Sequence, residues 1–212
     1  MSRGRLMVTN VIGIIVVLAL IIGGGYYYVQ HSNYVSTDNA KVSGDVYAVV
    51  APAAGKVASW NIEEGKDVAK DEEIAKVQSA DSNVAATAPT DGQIIKTQVK
   101  ENQMVQAGQQ IATEVDMNNL FIVANIKEDE LKDIEVGDDV DVVVDGDNST
   151  TIDGKVEEVG YATNSLFSLT PSSNSDGNYT KVSQTVPVKI SISNYSEDVL
   201  PGMNAEVKIS TN

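Results

Sequence analysis

Apolar positions along the chain follow two patterns. From Leu6 to Gly25 (LMVTNVIGIIVVLALIIGGG) about twenty positions carry no charge, which at about 1.5 Å per residue predicts a helix able to cross a hydrocarbon layer of roughly 30 Å. From Tyr34 onward the apolar residues come in short runs punctuated by Gly, Asn, Asp and Pro. That pattern predicts strands. One or two strands are expected over Tyr34 to Val50, and further strands over Asn119 to Asn125, Val140 to Val144, Ile152 to Val159, Ser183 to Ser193 and Ala205 to Ser210. Val140 to Val144 and Ile152 to Val159 are expected to join across DGDNSTT, with Asp145-Gly146 as the hairpin signal. Lys127 to Val136 carries Leu131 and Ile134 at helical spacing before Gly137, which predicts a short one-sided helix with a glycine stop.

Within the β region one stretch occurs twice. Ala51 to Ser79 and Ala88 to Asp116 align without a gap, matching Ala51-Pro52 with Ala88-Pro89, Gly55 with Gly92, Val57 with Ile94, Val68 with Val105 and Ile74-Ala75 with Ile111-Ala112. Gly65 and Asn102 fall at the same turn, and both tolerate a left-handed backbone. A half of this size buries too little surface alone, so the two halves are expected to pack on each other as a flattened sandwich.

The fold class expected is mainly β: an N-terminal transmembrane helix, then a biotinyl/lipoyl-like β-sandwich module inserted in an antiparallel β-barrel. The barrel follows from many short strands with one small helix, and strands on both sides of the repeat are expected to close it. In sequence order this gives a cytoplasmic N-terminus at 1–5, an anchor at 6–28, lead-in barrel strands at 34–50, a module at 51–116 with half-motifs 51–79 and 88–116, and a barrel at 117–212.

Charge adds topology. Arg3 and Arg5 precede the apolar segment, no acidic residue occurs before Asp38, and the whole chain carries −15. The basic flank places the N-terminus in the cytoplasm and everything from about Gln30 outside. No small-x-small cleavage pattern follows the span, and Tyr26, Tyr27 and Tyr28 suit a membrane interface, so a retained single-pass anchor is expected rather than a cleaved leader. The acidic ectodomain repels nucleic acid. There is no cysteine, which excludes disulfides, zinc-thiolate sites, a cysteine nucleophile and a lipidated cysteine.

Other candidate chemistry reduces to structure. His31 is the sole histidine and reads as an interfacial polar residue. Asp138, Asp139, Asp141, Asp145 and Asp147 lack the spacing of a calcium loop and read as a solvated strand pair. Gly23-Gly24-Gly25 lacks the following Lys-Ser/Thr of a phosphate loop. Trp60 reads as half-module core.

The duplicated stretch resembles the biotinyl/lipoyl carrier fold, whose modified lysine would fall on the hairpin Ser79 to Asn83. Asp81 occupies that position. A carboxylate cannot be acylated as an amine is, so the resemblance implies the scaffold without biotin or lipoate, and no cofactor is expected. Ser36 to Ala51 (STDNAKVSGDVYAVVA) resembles the opening segment of bacterial membrane fusion proteins, the periplasmic adaptors of the HlyD/EmrA type. Asn164 to Ile190 is similar to the EmrA branch through Phe167, Ser168, Leu169, Pro171, Asn174, Gly177, Asn178, Tyr179, Lys181, Val182, Gln184, Pro187, Val188 and Ile190. Only Ala80 to Thr87 separates the half-motifs, so the long α-helical hairpin that the family inserts there is missing.

The resemblance implies a non-enzymatic adaptor for export or multidrug efflux, docked on a polytopic membrane transporter. A major-facilitator drug exporter is favoured over an ABC exporter, self-association stays open, and a missing hairpin suits a Gram-positive host with no outer membrane to reach. Phe167, Leu169, Pro171 and Tyr179 are the expected transporter contacts, because apolar side chains in a polar loop are typical of contact sites. The competing reading is a surface-anchored domain that binds a small molecule or wall polymer without a transporter.

Overall fold

The computed structural model describes residues 13–23, 34–80, 82–167 and 183–211, with the side chains at 147–149 and 167 left aside. Residues 13–23 are helical and exposed on every side. No helix among the described residues is long and apolar enough to cross a membrane. The rest of the expected 6–28 span, with Arg3, Arg5, Tyr26 to Tyr28 and His31, lies outside the described residues.

The β region separates into two compact units, between which the chain passes near residues 40, 123, 194 and 204. The first is a closed barrel of six strands in the order β1-β10-β13-β12-β11-β14: β1 is Tyr34–Ser43, β10 Phe121–Lys127, β11 Asp139–Val144, β12 Asp147–Val159, β13 Thr185–Ile192 and β14 Asn204–Ser210. Alternation decides what each strand buries. Val140, Val142 and Val144 of β11, Val186, Val188 and Ile190 of β13, and Ala205, Val207 and Ile209 of β14 fill the core. Asp139 and Asp141 stay outside, Asp139 paired with Lys155 across the strands. The β11–β12 hairpin turns on Asp145-Gly146 alone, with Val144 opposite Asp147, so Asp147 to Thr151 extend the strand instead of forming the expected loop.

The helix expected over Lys127 to Val136 is one 3-10 turn, Leu131–Asp133. It is too short to gain from helical cooperativity, and competing bonds draw the chain on into β11: the Glu135 amide donates to Asp138 Oδ2 at 2.8 Å and the Gly137 amide to the Val156 carbonyl at 2.8 Å.

The second unit holds two four-stranded sheets, β2-β9-β7-β4 and β6-β5-β3-β8, from β2 Val46–Val50, β3 Gly55–Trp60, β4 Asp67–Val68, β5 Glu73–Gln78, β6 Asn83–Thr87, β7 Gly92–Thr97, β8 Met104–Val105 and β9 Gln110–Val115. The sequence duplication is a structural one. Tyr47 faces Glu114 as Val84 faces Val77, and Lys96 faces Thr113 as Ser59 faces Lys76. The turns agree too, with Gly65 at φ +86° and Asn102 at φ +71°.

Two expectations change here. The halves do not stack as separate units, because each gives its two-residue strand to the other's sheet: β4 pairs with β7 and β8 with β3. And Val46–Val50, expected among the barrel's lead-in strands, pairs with β9 inside the sandwich. The shared core contains Val49, Val57, Val68, Ile74, Ile94, Val105 and Ile111, with Trp60 packed partly buried against it.

One polar residue is sealed in this unit. Glu114 is 0% exposed, and neither carboxylate oxygen has a hydrogen-bond partner in normal geometry. Burial pushes its carboxyl above the ordinary range; the Thr90 backbone amide opposes the shift and the charges of Asp91 and Asp116 add to it.

Candidate partner-docking surface

On the barrel, five polar side chains from four segments meet at the start of the stretch that the sequence singles out. Thr37 Oγ1 of β1 donates to the Asn125 carbonyl at 3.3 Å, and Asn125 Nδ2 of β10 donates to Asn39 Oδ1 at 3.1 Å. Asn164 Nδ2 in turn donates to Asn125 Oδ1 at 2.6 Å and to Thr185 Oγ1 of β13 at 3.1 Å. An amide suits this role because it donates and accepts at once. The ladder holds residue 164 against β10 and β13 directly, and links it to β1 through Asn125.

Asn164 opens a 3-10 turn, Asn164–Phe167, supported by the Leu166 amide donating to the Thr163 carbonyl at 3.1 Å and by a 2.9 Å contact between the Thr163 and Ser165 hydroxyls. The turn follows β12 directly, where the Gly160 amide donates to the Pro187 carbonyl at 2.9 Å. Local bonding therefore holds the backbone while leaving large side chains outward. Tyr161 is 96% exposed and Leu166 is 72% exposed. Neither contributes to the barrel core, so their placement suits contact with a partner.

Of the transporter contacts expected from sequence, Phe167 is described only as the last residue of this turn, and Leu169, Pro171 and Tyr179 lie outside the described residues. Tyr161 and Leu166, exposed just before and on the same turn, are not among those expected contacts. Their signal was available in the run Tyr161 to Leu166, where two bulky apolar residues stand among Ala, Thr, Asn and Ser.

The carrier-like hairpin also takes shape. β5 and β6 are joined by residues 79–82, closed by the Ser79 amide donating to the Ser82 carbonyl at 2.9 Å; Asp81 itself lies outside the described residues. No group of three potential metal ligands occurs among the described residues. What the described surfaces offer is binding by apolar contact and directed hydrogen bonds.

Comparison with known proteins bears on the chain as a whole. Residues 45–116 match the family model of the YhbJ barrel-sandwich hybrid domain. Over 210 residues the chain is 61% identical to the Bacillus subtilis (strain 168) protein YhbJ, named as an efflux system component, covering 99% of this chain and 95% of that protein. It is 32% identical to the multidrug export protein EmrA of Haemophilus influenzae over 127 residues, which is 58% of this chain and 32% of that longer protein. Among solved structures, the periplasmic adaptor protein EmrA superposes with a TM-score of 0.60 at 13% identity, covering 85% of this chain and 99% of that one, a likeness of fold.

Proposed function

The chain belongs to the membrane fusion protein family, in an EmrA-related branch together with YhbJ, and from that premise we propose that it is a membrane-anchored extracytoplasmic adaptor of an efflux system. The observation that carries this reading is the likeness to an efflux component along nearly the whole chain. In the proposed arrangement residues 1–5 lie in the cytoplasm and residues 6–28 span the membrane once. The helical, uncharged residues 13–23, apolar around their circumference, support that span. The module and barrel then stand outside the membrane, in a host without an outer membrane, where four linking residues in place of a long hairpin are sufficient.

The partner is a polytopic transporter of the major-facilitator type, and the contact surface is the barrel turn with Tyr161, Leu166 and Phe167, continued by Leu169, Pro171 and Tyr179. The adaptor carries no catalysis or cofactor of its own; it binds and positions. The test is purification of the tagged full-length chain from its host membrane in mild detergent, followed by mass spectrometry. Co-purification of a major-facilitator transporter is the expected result. Recovery of the chain alone, with a small molecule or wall polymer bound, would replace the adaptor reading with that of a surface-anchored binding domain.

A further inference from the structure

The segment that follows β13 returns to the sandwich unit and lines a cleft of about 490 Å³ there. Tyr195 fastens it. The tyrosine hydroxyl accepts from the Leu120 amide at 3.1 Å and donates to the Met117 carbonyl at 3.0 Å, so both of its bonding roles are used on main chain. Residues 196–199 then form a turn, with the Val199 amide donating to the Ser196 carbonyl at 3.2 Å. The stretch that Tyr195 grips is itself held, because the Asp116 carboxylate accepts from the Asn118 amide at 2.9 Å and from Asn119 Nδ2 at 2.6 Å. The walls are thus fixed by bonds of the chain's own, and the volume falls within the roughly 300–1,000 Å³ of small-molecule sites.

The module contributes Asp67 of β4, Gln93 of β7 and Met117 to the lining, and the returning segment contributes Tyr195, Glu197 and the buried Val199. Each side brings one carboxylate. Asp67 accepts from Gln93 Nε2, a neutral donor, at 3.1 Å, and neither Asp67 nor Glu197 has an ion-pair partner among the described residues. Lys66, the lysine beside Asp67 in sequence, is engaged with Glu72 at 3.3 Å. No basic side chain lines the cleft among the described residues. The fold does not demand a carboxylate at 67, since the equivalent position of the repeat, on the equivalent edge strand β8, is Met104. Charge of one sign in a recess focuses the field and draws in the opposite sign.

We propose that this cleft binds a small organic cation, its charged nitrogen against Asp67 and Glu197 and its apolar body on Met117, Tyr195 and Val199. A neutral or anionic ligand would leave both carboxylates without a counter-charge. A bare metal ion fits poorly, because no group of three metal ligands occurs among the described residues and hard cations want several oxygens. Methionine adds a polarizable wall that adapts to differently shaped apolar bodies. That such a cation is export cargo rests on the adaptor reading; its binding does not.

The probe is ethidium, titrated by fluorescence polarisation against the full-length chain in an uncharged detergent with no transporter present. Saturable binding is expected, weakened about tenfold in Asp67→Asn with Glu197→Gln and weakened again by added salt. Asp141→Asn with Asp153→Asn, exposed partners across two barrel strands, changes the net charge equally and should leave the affinity within about twofold. The uncharged phenanthridine parent of ethidium should bind far more weakly, and the thermal unfolding midpoint of each variant is measured alongside. Equal loss in the two double variants would assign binding to the overall charge of the chain and overturn the proposal. So would wild-type affinity in Asp67→Asn with Glu197→Gln, equal binding of the uncharged parent, or displacement of ethidium by an equal concentration of calcium ions. The adaptor reading fails separately: ethidium bound as expected by a chain that recovers no transporter would keep the site and remove its role in export.

Discussion

Glu114 stands in the second half of the module where Val77 stands in the first. Val77 lies between Val57 and Val84 across its two neighbouring strands, and Glu114 lies between Ile94 and Tyr47. Both are 0% exposed. A row that is aliphatic in one half thus carries a carboxyl in the other, and a buried polar group without a partner destabilises the fold by about 1–3 kcal/mol. Glu114→Val is therefore expected to stabilise the protein by a similar amount in urea unfolding at neutral pH. A loss of stability would show that Glu114 has a partner in the folded chain.

The pH dependence has two arms of opposite sign. Glu64 is held below the ordinary carboxylate range by the Thr97 amide at 2.8 Å and the Thr97 hydroxyl at 3.1 Å, and Glu72 by the Ala69 amide at 3.0 Å and Lys66 at 3.3 Å. Lowered groups contribute stability above their unfolded pKa and lose it as pH falls through the folded one. Glu114 is raised, so its contribution is complete below the unfolded pKa and is lost as pH rises through the folded one. Stability measured against pH should rise out of the acid range and then decline. Glu114→Gln should remove the decline and leave the acid arm; a decline that survives this substitution belongs to another group.

The repeat makes a prediction of equal effects. Val68 and Val105 are the buried residues of the two exchanged strands, 5% and 3% exposed. Truncating either to Ala removes two buried methyl groups and should destabilise by about 1–3 kcal/mol. Denaturant midpoints for the two variants should fall together, and a clear difference between them would show that the exchange is energetically one-sided.

For the barrel surface, Tyr161→Ala with Leu166→Ala should reduce transporter recovery in detergent pull-downs and lower efflux, with the melting temperature nearly unchanged, since neither side chain is in the core. Phe167→Ala with Leu169→Ala is expected to behave alike. Unfolding of the second pair would assign those residues to the barrel interior. Wild-type recovery with both pairs would move the contact elsewhere.

Much of this was legible because the repeat writes the same physical demand twice. Gly65 and Asn102 announce a left-handed turn, and the glycine at 108 marks another, which its counterpart Asp71 also adopts at φ +65° without any glycine to signal it. Alternation exposed the barrel strands for the same reason. The exchange of β4 and β8 was hidden because two-residue strands have no period, and their partners lie in the other half. Glu114 was hidden differently. Its neighbours Ile111-Ala112 match Ile74-Ala75, and only burial shows that the residue two positions later, opposite in kind to Val77, is a carboxyl in a core row. Tyr161 falls between the strand Ile152 to Val159 and the stretch Asn164 to Ile190, and Leu166 lies inside that stretch, where its exposure has no periodic signal.

The barrel's strand order ties its first strand, Tyr34–Ser43, to its last, Asn204–Ser210, and this has a kinetic consequence. During synthesis the sandwich strands emerge well before the ring can be completed, and β1 and β11 wait with open edges until β14 arrives. Pairings this distant in sequence form slowly, and unpaired edges recruit other chains. The final strand is thus a latch, and a chain cut before Asn204 should be released with two sticky edges and aggregate, while a silent delay in delivering the last residues would lengthen its exposure to proteases.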